Sequence, residues 1–325
     1  MKKLCLLTGA TGHLGSVLLS RLIGCGVSVR ALVLPEEAAF LPPDVPYTVG
    51  NVTDPDSLIP FFEAAGYDEV TLIHCAAVVT ITSRPYPGLW EINVGGTENV
   101  LRAARRAGVS RMIYVSSVHA IPEQPAPAVI REPDAFFPER VRGQYAKTKA
   151  AASALVMEAA RTGLNASIVL PSGIIGPGDL RRRNHSVATI RAMAAGSIPL
   201  SIRGGYDFVD VRDTAEGILQ CEAHGRAGEC YILSGEYASI RDLMRFACEA
   251  AGRRPPKGVL PAWTARLAAP AAEWMAALSG KKPLLTPYSI DVLQSNARFS
   301  HEKASRALGY RPRSVADAVR DTVLL

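Results

Sequence analysis

Tyr145 and Lys149 are the residues of this sequence whose types and spacing first suggest chemistry. They stand four positions apart in QYAKTK (144–149), which opens an alanine-rich stretch with helical spacing. Residues at i and i+4 share one face of a helix, so the phenol and the amine can interact. A phenol has an ordinary pKa of about 10, and a neighbouring ammonium favours its ionised form. The pair could therefore exchange a proton near neutral pH, although the same spacing also occurs in ordinary exposed helix pairs.

A glycine-rich turn near the start of the chain could bind a phosphate. Residues 8–15 read TGATGHLG, which places glycines at Gly9, Gly12 and Gly15. The turn follows a predicted strand, 3–8, and precedes a predicted helix, 14–24. Glycines let the backbone approach a phosphate closely, and the helix N-terminus offers free N–H donors. In this strand-turn-helix context the pattern predicts a dinucleotide-binding site.

The elements that must position these residues follow an alternating pattern. Apolar runs predict strands, and stretches with helical spacing separate them. The predicted strands are 3–8, 27–34, 70–77, 111–117 and 165–171, and the predicted helices are 14–24, 57–66, 93–108 and 145–163. This alternation predicts an α/β fold, a Rossmann-type doubly wound parallel sheet with helices on both faces.

The alternation ends near Pro171, which suggests two domains. Residues 1–171 are predicted to form the dinucleotide-binding Rossmann domain, to whose sheet 207–236 return. Residues 172–206 and 237–325 are predicted to form a smaller, mostly helical substrate-binding lobe. A cleft between two such parts is a usual site for a small molecule.

Composition narrows the possible partners and the location. The 325 residues carry a formal charge of +6, but no Lys/Arg-rich stripe with interleaved aromatics predicts nucleic-acid binding. The six cysteines show no CxxC or Cys/His metal spacing, so we expect free thiols and no metal site. No apolar stretch reaches the roughly 18 residues of a membrane helix. We therefore expect a cytoplasmic protein without stable membrane insertion.

The glycine spacing GxxGxxG and a series of later stretches resemble the extended branch of the short-chain dehydrogenase/reductase superfamily, the NAD-dependent epimerase/dehydratase family. The resemblance runs nearly from end to end, and the order and spacing of the stretches are specific to this branch. They are HCAA (74–77), INVGGTENVL (92–101) with a structural Asn93, VSS (115–117), YAKTK (145–149), PSGIIGPGD (171–179), FVDVRDTAEG (208–217) and ALGYRPR (307–313).

This resemblance implies a catalytic set of Ser117, Tyr145 and Lys149. Ser117 would hydrogen-bond the substrate oxygen, and Lys149 would hold the nicotinamide ribose. Tyr145 would exchange a proton while hydride moves to or from the nicotinamide. Ser116 stays an alternative to Ser117. The implied cofactor is NAD or NADP, with contacts from Gly9, Thr11, Gly12, His13, Leu14, Gly15, Asn51, Val52, Cys75, Ala76, Ala77, Tyr145, Lys149, Pro171, Gly173 and Ile174.

The residues after the second strand bear on the choice between NAD and NADP. Relatives usually carry an acid or an arginine at the end of this strand, where this chain has Leu34. An acid there accepts from the ribose 2′-OH of NAD, and an arginine pairs with the 2′-phosphate of NADP. Glu36 and Glu37 follow and would repel a phosphate, so NAD is favoured. Asn51 takes the place of an aspartate that the family often sets against adenine.

The residues around Ser117 and Pro171 bear on the reaction. Val118 and His119 follow Ser117 where dehydratases carry an acidic pair, which argues against dehydration. Residues 170–179 and the tail 284–313 resemble the dihydroflavonol reductase and 3β-hydroxysteroid dehydrogenase group. This implies an oxidoreductase that interconverts a secondary alcohol and a ketone on a bulky, apolar small molecule. The alternatives are a nucleotide-sugar epimerase and a sensor that binds the dinucleotide without catalysis.

Three further features leave alternatives open. Arg181–Arg183 could clamp a diphosphate at the cleft mouth or form a solvated basic loop. A rough helical stripe in 262–280 predicts a helix packed over the substrate lobe, with a peripheral membrane contact as the alternative; its members are Trp263, Leu267, Trp274 and Leu278. The resemblance also implies a possible homodimer, with the helices 93–108 and 145–163 as candidates for its interface.

Overall fold

A parallel sheet of apolar strands forms the centre of the protein. The computed structural model describes residues 2–278 and 286–325, and every element named below lies in these ranges. Seven strands form the central sheet, which confirms the predicted doubly wound α/β fold. In chain order, the strands are β1 (Lys3–Thr8), β2 (Ser28–Val33), β3 (Tyr47–Val49), β4 (Glu69–His74), β5 (Arg111–Val115), β6 (Ala166–Pro171), β7 (Gly173–Ile175), β8 (Ser201–Ile202), β9 (Gly205–Asp210), β10 (Cys230–Leu233), β11 (Glu236–Ser239) and β12 (Val259–Leu260).

Helices cover both faces of the central sheet and form most of the C-terminal part. They are α1 (His13–Gly24), α2 (Ile59–Phe62), α3 (Gly96–Arg106), α4 (Gln144–Arg161), α5 (His185–Ala194), α6 (Val211–His224), α7 (Ile240–Ala250), α8 (Ala262–Leu278), α9 (Pro287–Gln294), α10 (Glu302–Leu308) and α11 (Val315–Leu324). The apolar strands require this cover, because a parallel sheet is buried on both sides.

Each face of the sheet has its own apolar core. Successive residues of a strand point to opposite faces. In β1, Leu4 and Leu6 belong to the core beneath α3 and α4, and Cys5 and Leu7 belong to the core beneath α1 and α6. All four side chains are at most 2% exposed. This double burial explains why the strand reads as a continuous apolar run.

The strand order changes direction between β1 and β4. From β1 the chain winds outward through β2 to β3, and from β4 it winds the other way through β5 and β6 to β10. β1 and β4 pair in parallel, with Thr8 beside His74 at their carboxyl ends. Ligands of open α/β sheets bind in the crevice beyond the carboxyl ends at such a switch point.

Several predicted boundaries differ from the structure. The predicted helix 57–66 is a 3-10 turn, Asp56–Leu58, followed by the short α2. The predicted helix 93–108 begins as a π-helical turn, Glu91–Gly95, that continues into α3.

The expected return of 207–236 to the central sheet is only partly met. β10 does pair with β6, but β9 pairs with β7 and β11 in a separate three-stranded sheet. A strand buried on both faces has the same apolar pattern in either sheet, so its sequence could not distinguish them. The division into a nucleotide-binding domain and a substrate-binding lobe remains a prediction.

Helix α8 presents an apolar stripe to solvent. Its buried side packs through Ala265 and Ala269 near Ile290 of α9. The stripe does not make the packing contact expected of it, because its described side chains are 65%, 74% and 56% exposed at Trp263, Leu267 and Trp274. The side chain of Leu278 and residues 279–280 lie outside the described residues. Within 2–278 and 286–325, no helix is both long enough and apolar enough to cross a membrane.

Candidate active site

The carboxyl edge of the central sheet collects the residues that the sequence singled out. The glycine turn 9–15 follows β1, residues 75–77 follow β4, and Ser117 follows β5. Pro171 ends β6, and Gly173 and Ile174 begin β7 directly after it. Since the carboxyl ends of parallel strands meet at one edge, these groups face one crevice.

The glycine turn leaves no room for side chains. A Cβ atom on Gly15 would lie 2.0 Å from the carbonyl oxygen of Gly9. Gly9 has a φ of +71°, and a Cβ there would lie 2.8 Å from the backbone nitrogen of Ala76. Gly12 caps α1 without a side-chain hydrogen bond to the first turn. The turn therefore fits a phosphate, because it brings backbone close to the crevice beside helix N–H groups.

Other predicted cofactor residues surround this turn. His13 Nε2 lies 2.9 Å from the carbonyl oxygen of Pro177, and His13 Nδ1 lies 2.9 Å from Asn184 Nδ2. The half-buried side chains of Leu14, Cys75 and Ile174 pack against the same apolar core. The structure thus brings together residues that follow β1, β4 and β6.

Asn51 and Val52 are placed apart from the catalytic residues. They follow β3, four strands from β5, which is about 19 Å at the usual strand spacing. The Oδ1 atom of Asn51 accepts a hydrogen bond from the backbone N–H of Thr53 at 3.0 Å and so supports its own loop. Val52 is buried, and its carbonyl accepts from Asn99 at 3.0 Å. Any contact of these two residues with a dinucleotide would be at the end away from Tyr145.

Tyr145 and Ser117 meet at the crevice. Tyr145 lies in the first turn of α4 and is 9% exposed. Burial raises the pKa of its phenol, and a side-chain hydrogen bond with Ser117 acts in the opposite direction. The neighbouring Ser116 instead faces α4, where its Oγ lies 2.7 Å from that of Ser153. The geometry therefore favours Ser117 over Ser116 as the partner of Tyr145.

Lys149 is held by the strand end rather than by Tyr145. Its Nζ donates to the carbonyl oxygen of Val115 at 2.6 Å and to the hydroxyl of Tyr114 at 3.1 Å. Burial lowers the pKa of Lys149 to about 7. The expectation that Lys149 acidifies Tyr145 does not hold in this structure. Desolvation is the main influence on the pKa of both Tyr145 and Lys149. The Lys149 ammonium donates its hydrogen bonds to Tyr114 and Val115 instead.

A buried polar network joins Lys149 to the glycine turn, and sequence reasoning missed it. Thr8 Oγ1 accepts from the backbone N–H of Ala76 at 3.1 Å and lies 2.7 Å from His74 Nδ1. His74 Nε2 lies 3.2 Å from the hydroxyl of Thr97, which also hydrogen-bonds Tyr114. Burial lowers the pKa of His74 to about 3, so the ring is neutral. The available signal was a polar side chain inside an otherwise apolar strand, since such groups need buried partners.

A cavity of about 700 Å³ opens next to Tyr145. The ring of His119 lines it, 6.1 Å from the ring of Tyr145 and stacked on Tyr206 at 5.6 Å. Apolar walls come from Val118, Ile121, Ile130, Val292 and Phe299, and polar ones from Arg140, Arg142, Arg266, Tyr288 and Asp291. The sequence indicates no role for His119, yet its ring lies between Tyr145 and this cavity.

Arg181 lies at the glycine turn and not among the residues that line this cavity. Its guanidinium donates to Thr11 Oγ1 at 3.0 Å and forms an ion pair with Glu37. The side chain is 8% exposed, so the alternative of a solvated basic loop is wrong for Arg181. A clamp on substrate at the cavity is equally inconsistent with its position.

In the described part of the chain, the cysteines form no disulfide, and no cluster of cysteines and acidic side chains forms a metal site. All six cysteines are free thiols. Burial raises the pKa of Cys75, next to the glycine turn, to about 12, so it is a neutral thiol. In residues 2–278 and 286–325, no group of His, Cys, Asp and Glu side chains is arranged to hold a metal ion.

Comparison with known proteins shows the family of this chain. The model of the NAD dependent epimerase/dehydratase family matches residues 5–233. The chain belongs to this family. Sterol demethylase protein B of Methylococcus capsulatus is 32% identical over 98% of this chain and 96% of its own length. The 3 beta-hydroxysteroid dehydrogenase/Delta 5→4-isomerase of Mycobacterium tuberculosis is 29% identical over 94% and 85%.

A solved structure supports the same fold. The crystal structure of gox2253 superposes with a TM-score of 0.83 at 32% identity, covering 99% of this chain and 97% of that one. The resemblance to the extended branch is therefore confirmed, and the chain is a member of a family of NAD(P)-binding enzymes.

Proposed function

We propose that the protein interconverts a secondary alcohol and a ketone by NAD(P)-dependent hydride transfer, with Tyr145 as the acid/base. The observation that carries this proposal is the buried Tyr145 phenol, hydrogen-bonded to Ser117 beside a cavity, with Lys149 one helical turn further along. A tyrosine and a lysine on an exposed helix face would be neither buried nor hydrogen-bonded to a serine.

The residues divide the reaction between them. A nicotinamide held at the glycine turn would supply the hydride for the carbonyl carbon in reduction and take it up in oxidation. Tyr145 gives its proton to the carbonyl oxygen as the hydride arrives, and Ser117 donates a hydrogen bond to the same oxygen. Because burial raises the pKa of Tyr145, its phenol is protonated at neutral pH, the form that reduction of a ketone requires. Lys149, with a pKa of about 7, would donate to the nicotinamide ribose.

The substrate that fits best has a bulky, apolar skeleton. The cavity beside Tyr145 has about 700 Å³ and is walled by His119, Tyr206, Tyr288 and Phe299. Two relatives are named for sterol or steroid chemistry. Aromatic walls of this size suit a fused-ring alcohol or ketone.

A second candidate is epimerisation of a nucleotide sugar. Arg140, Arg142 and Arg266 line the same cavity, and arginines are the preferred partners of phosphate groups. Arg266 is already paired with Asp291 at 3.0 Å, which leaves two arginines for a diphosphate. The four aromatic rings in the lining of the same cavity favour the first candidate, because they suit a fused-ring skeleton.

Turnover with a substrate panel tests the proposal. Steroids, flavonoids and nucleotide sugars are incubated with the full chain and each dinucleotide in both directions, while reduced nicotinamide absorbance and products are followed. We expect net hydride transfer with a fused-ring substrate. Sugar interconversion without net change in reduced cofactor would support the epimerase instead. A dinucleotide-dependent rise in melting temperature with no turnover on any substrate would contradict the proposal and favour a sensor.

A homodimer and a cytoplasmic location also remain predictions.

A further inference from the structure

The loop that follows β4, residues 78–86, is held by side chains from other elements, and we call it the β4 loop. At its start, the amide of Asn93 donates to the carbonyl oxygen of Val78 at 3.0 Å and accepts from its N–H at 2.8 Å. In its middle, the hydroxyl of Thr286 donates to the carbonyl oxygen of Ile81 at 2.8 Å. The loop therefore runs from the carboxyl edge of the sheet to the C-terminal helices.

The far end of the β4 loop is held by Gln144, which directly precedes Tyr145 in α4. Gln144 Oε1 accepts from the backbone N–H of Tyr86 at 2.9 Å. Gln144 Nε2 donates to the carbonyl oxygens of Thr82 at 3.1 Å and Arg84 at 2.5 Å. The amide thus uses its acceptor and both of its donors on one loop. These bonds fix the start of the helix as well as the loop.

The first turn of α4 has no side-chain cap. Gly143 stands at the N-cap position with a φ of +90° and makes no side-chain hydrogen bond to the turn. The ends of a helix leave backbone groups without partners inside the helix, and they fray. The hydrogen bonds of Gln144 therefore anchor the turn that carries Tyr145.

The β4 loop is also tied to α8. The carboxylate of Glu273 accepts from the hydroxyl of Thr82 at 2.7 Å and from the backbone N–H of Ser83 at 3.0 Å. Glu273 is 7% exposed, and a buried carboxylate needs such partners. Thr82 thus joins the two sides, because its carbonyl accepts from Gln144 and its hydroxyl donates to Glu273.

The helix that carries Glu273 borders the cavity beside Tyr145. α8 contributes Arg266 to the cavity lining and α9 contributes Asp291, and these two form an ion pair at 3.0 Å. Gln144 is not among the residues that line the cavity. Any effect of Gln144 on a bound substrate must therefore act through Tyr145.

We propose that Gln144 is a positioning residue that, with the β4 loop and Glu273, fixes the Tyr145 hydroxyl relative to the cavity wall. This inference rests on the proposed function of Tyr145 as the acid/base. Proton transfer needs the phenol within hydrogen-bond reach of the substrate oxygen. A displacement of about 1 Å, even from a change away from the chemistry, can cost about 10²-fold in rate.

A purely structural role of Gln144 predicts a different result. Arg84 and Tyr86 are exposed, so water can replace Gln144 as the partner of their backbone groups. Loss of the amide should therefore change the melting temperature little. A large fall in kcat beside a small fall in melting temperature is the signature of positioning.

Steady-state kinetics of the full chain test Gln144, with a fused-ring steroid or flavonoid that the wild type turns over. Gln144→Met keeps the length of the side chain and removes its hydrogen bonds. We expect kcat to fall about 10- to 100-fold, with KM and dinucleotide affinity within about threefold of the wild type. Gln220→Met is the control, because Gln220 is a half-buried glutamine of α6 that donates to Glu216 at 2.9 Å. Equal losses in kcat and in both affinities would overturn the proposal.

Hydrogen exchange tests the role of Glu273 without any substrate. Peptides covering 145–152 report the opening of the first turns of α4. Gln144→Met and Glu273→Met should each speed this exchange by about threefold or more, whereas Gln220→Met should not. The double variant should exchange no faster than the faster single variant, because both changes act through one loop. Wild-type exchange in folded Glu273→Met, or additive effects in the double variant, would overturn the role of the β4 loop.

The outcomes separate this inference from the proposed function. If the wild type is active and folded Gln144→Met keeps its kcat, the inference fails and the proposed function stands. If the wild type turns over no steroid, flavonoid or nucleotide sugar, the proposed function is wrong. Hydrogen exchange then still decides whether Gln144 and Glu273 together fix the start of α4. Melting temperatures identify the variants that fold.

Discussion

The glycine turn and the substrate cavity lie at the same edge of the sheet but are built in different ways. The turn consists of backbone, and its glycines contact each other and residues 75–76. The cavity consists of side chains from widely separated segments, from Val118 through Tyr206 to Phe299. Backbone packing tolerates no added atom, whereas a wall of side chains can move. We therefore expect substitutions in the turn to act on folding and cofactor binding, and substitutions at the cavity to act on substrate binding.

The largest effect on stability is expected for Gly15→Ala. A methyl group there would lie 2.0 Å from the carbonyl oxygen of Gly9, so the turn must open. We expect a loss of about 3 kcal/mol in the free energy of unfolding. Dinucleotide binding should weaken at the same time, because the backbone at the phosphate site moves. Urea unfolding and NAD titration measure both.

Gly24→Ala provides the control on the same helix. A Cβ added at Gly24 would meet no atom within 4 Å, and this glycine has no positive φ. This change should raise the free energy of unfolding by about 0.5 kcal/mol, because alanine is the better helix former. If the two variants were equally stable and bound NAD alike, the turn would not have the tight geometry described above.

Gly143→Ala should reduce stability less than Gly15→Ala does, and it should weaken substrate binding. Gly143 has a φ of +90°, and an added Cβ would lie 2.4 Å from the ring of Tyr288 in the cavity wall. Gly163 has a φ of +100° with nothing near its Cβ position. Both alanine variants should lose about 1–2 kcal/mol from backbone strain. Only Gly143→Ala should raise KM for the substrate, which steady-state kinetics measures. An equal KM in both variants would remove Tyr288 from the substrate site.

The smallest effect concerns two histidines, one in each region: His74 is buried and His119 is half-buried. Burial lowers the pKa of His74 to about 3 and that of His119 to about 4. An unfolded histidine titrates near 6.5, so below that pH the unfolded chain binds protons that the folded chain does not. The free energy of unfolding should therefore fall as pH drops from about 6.5 toward 4. His74→Gln and His119→Gln should each flatten this slope in urea unfolding series. Identical slopes in all of these proteins would contradict the neutral buried state.

The sequence predicted what is local and missed what is assembled from distant parts. The glycine turn and the Tyr145/Lys149 spacing each lie within a few residues, and their positions follow from strand and helix patterns. The partners of Lys149 are different, because Tyr114 and the Val115 carbonyl come from another element. Arg181 reaches Glu37 only through the fold, and β9 joins the smaller sheet through a pairing that its apolar run does not encode. The cavity wall could not be predicted for the same reason.

Hydride transfer in a single turnover tests most directly whether Tyr145 is the acid/base. Tyr145→Phe removes the phenol hydroxyl that contacts Ser117, and Tyr288→Phe removes another hydroxyl from the cavity as a matched control. We expect Tyr145→Phe to slow hydride transfer by about 10³-fold or more while dinucleotide affinity stays within about twofold. Tyr288→Phe should retain transfer within about tenfold of the wild type. A wild-type rate of hydride transfer in Tyr145→Phe would contradict the assignment of Tyr145 as the acid/base.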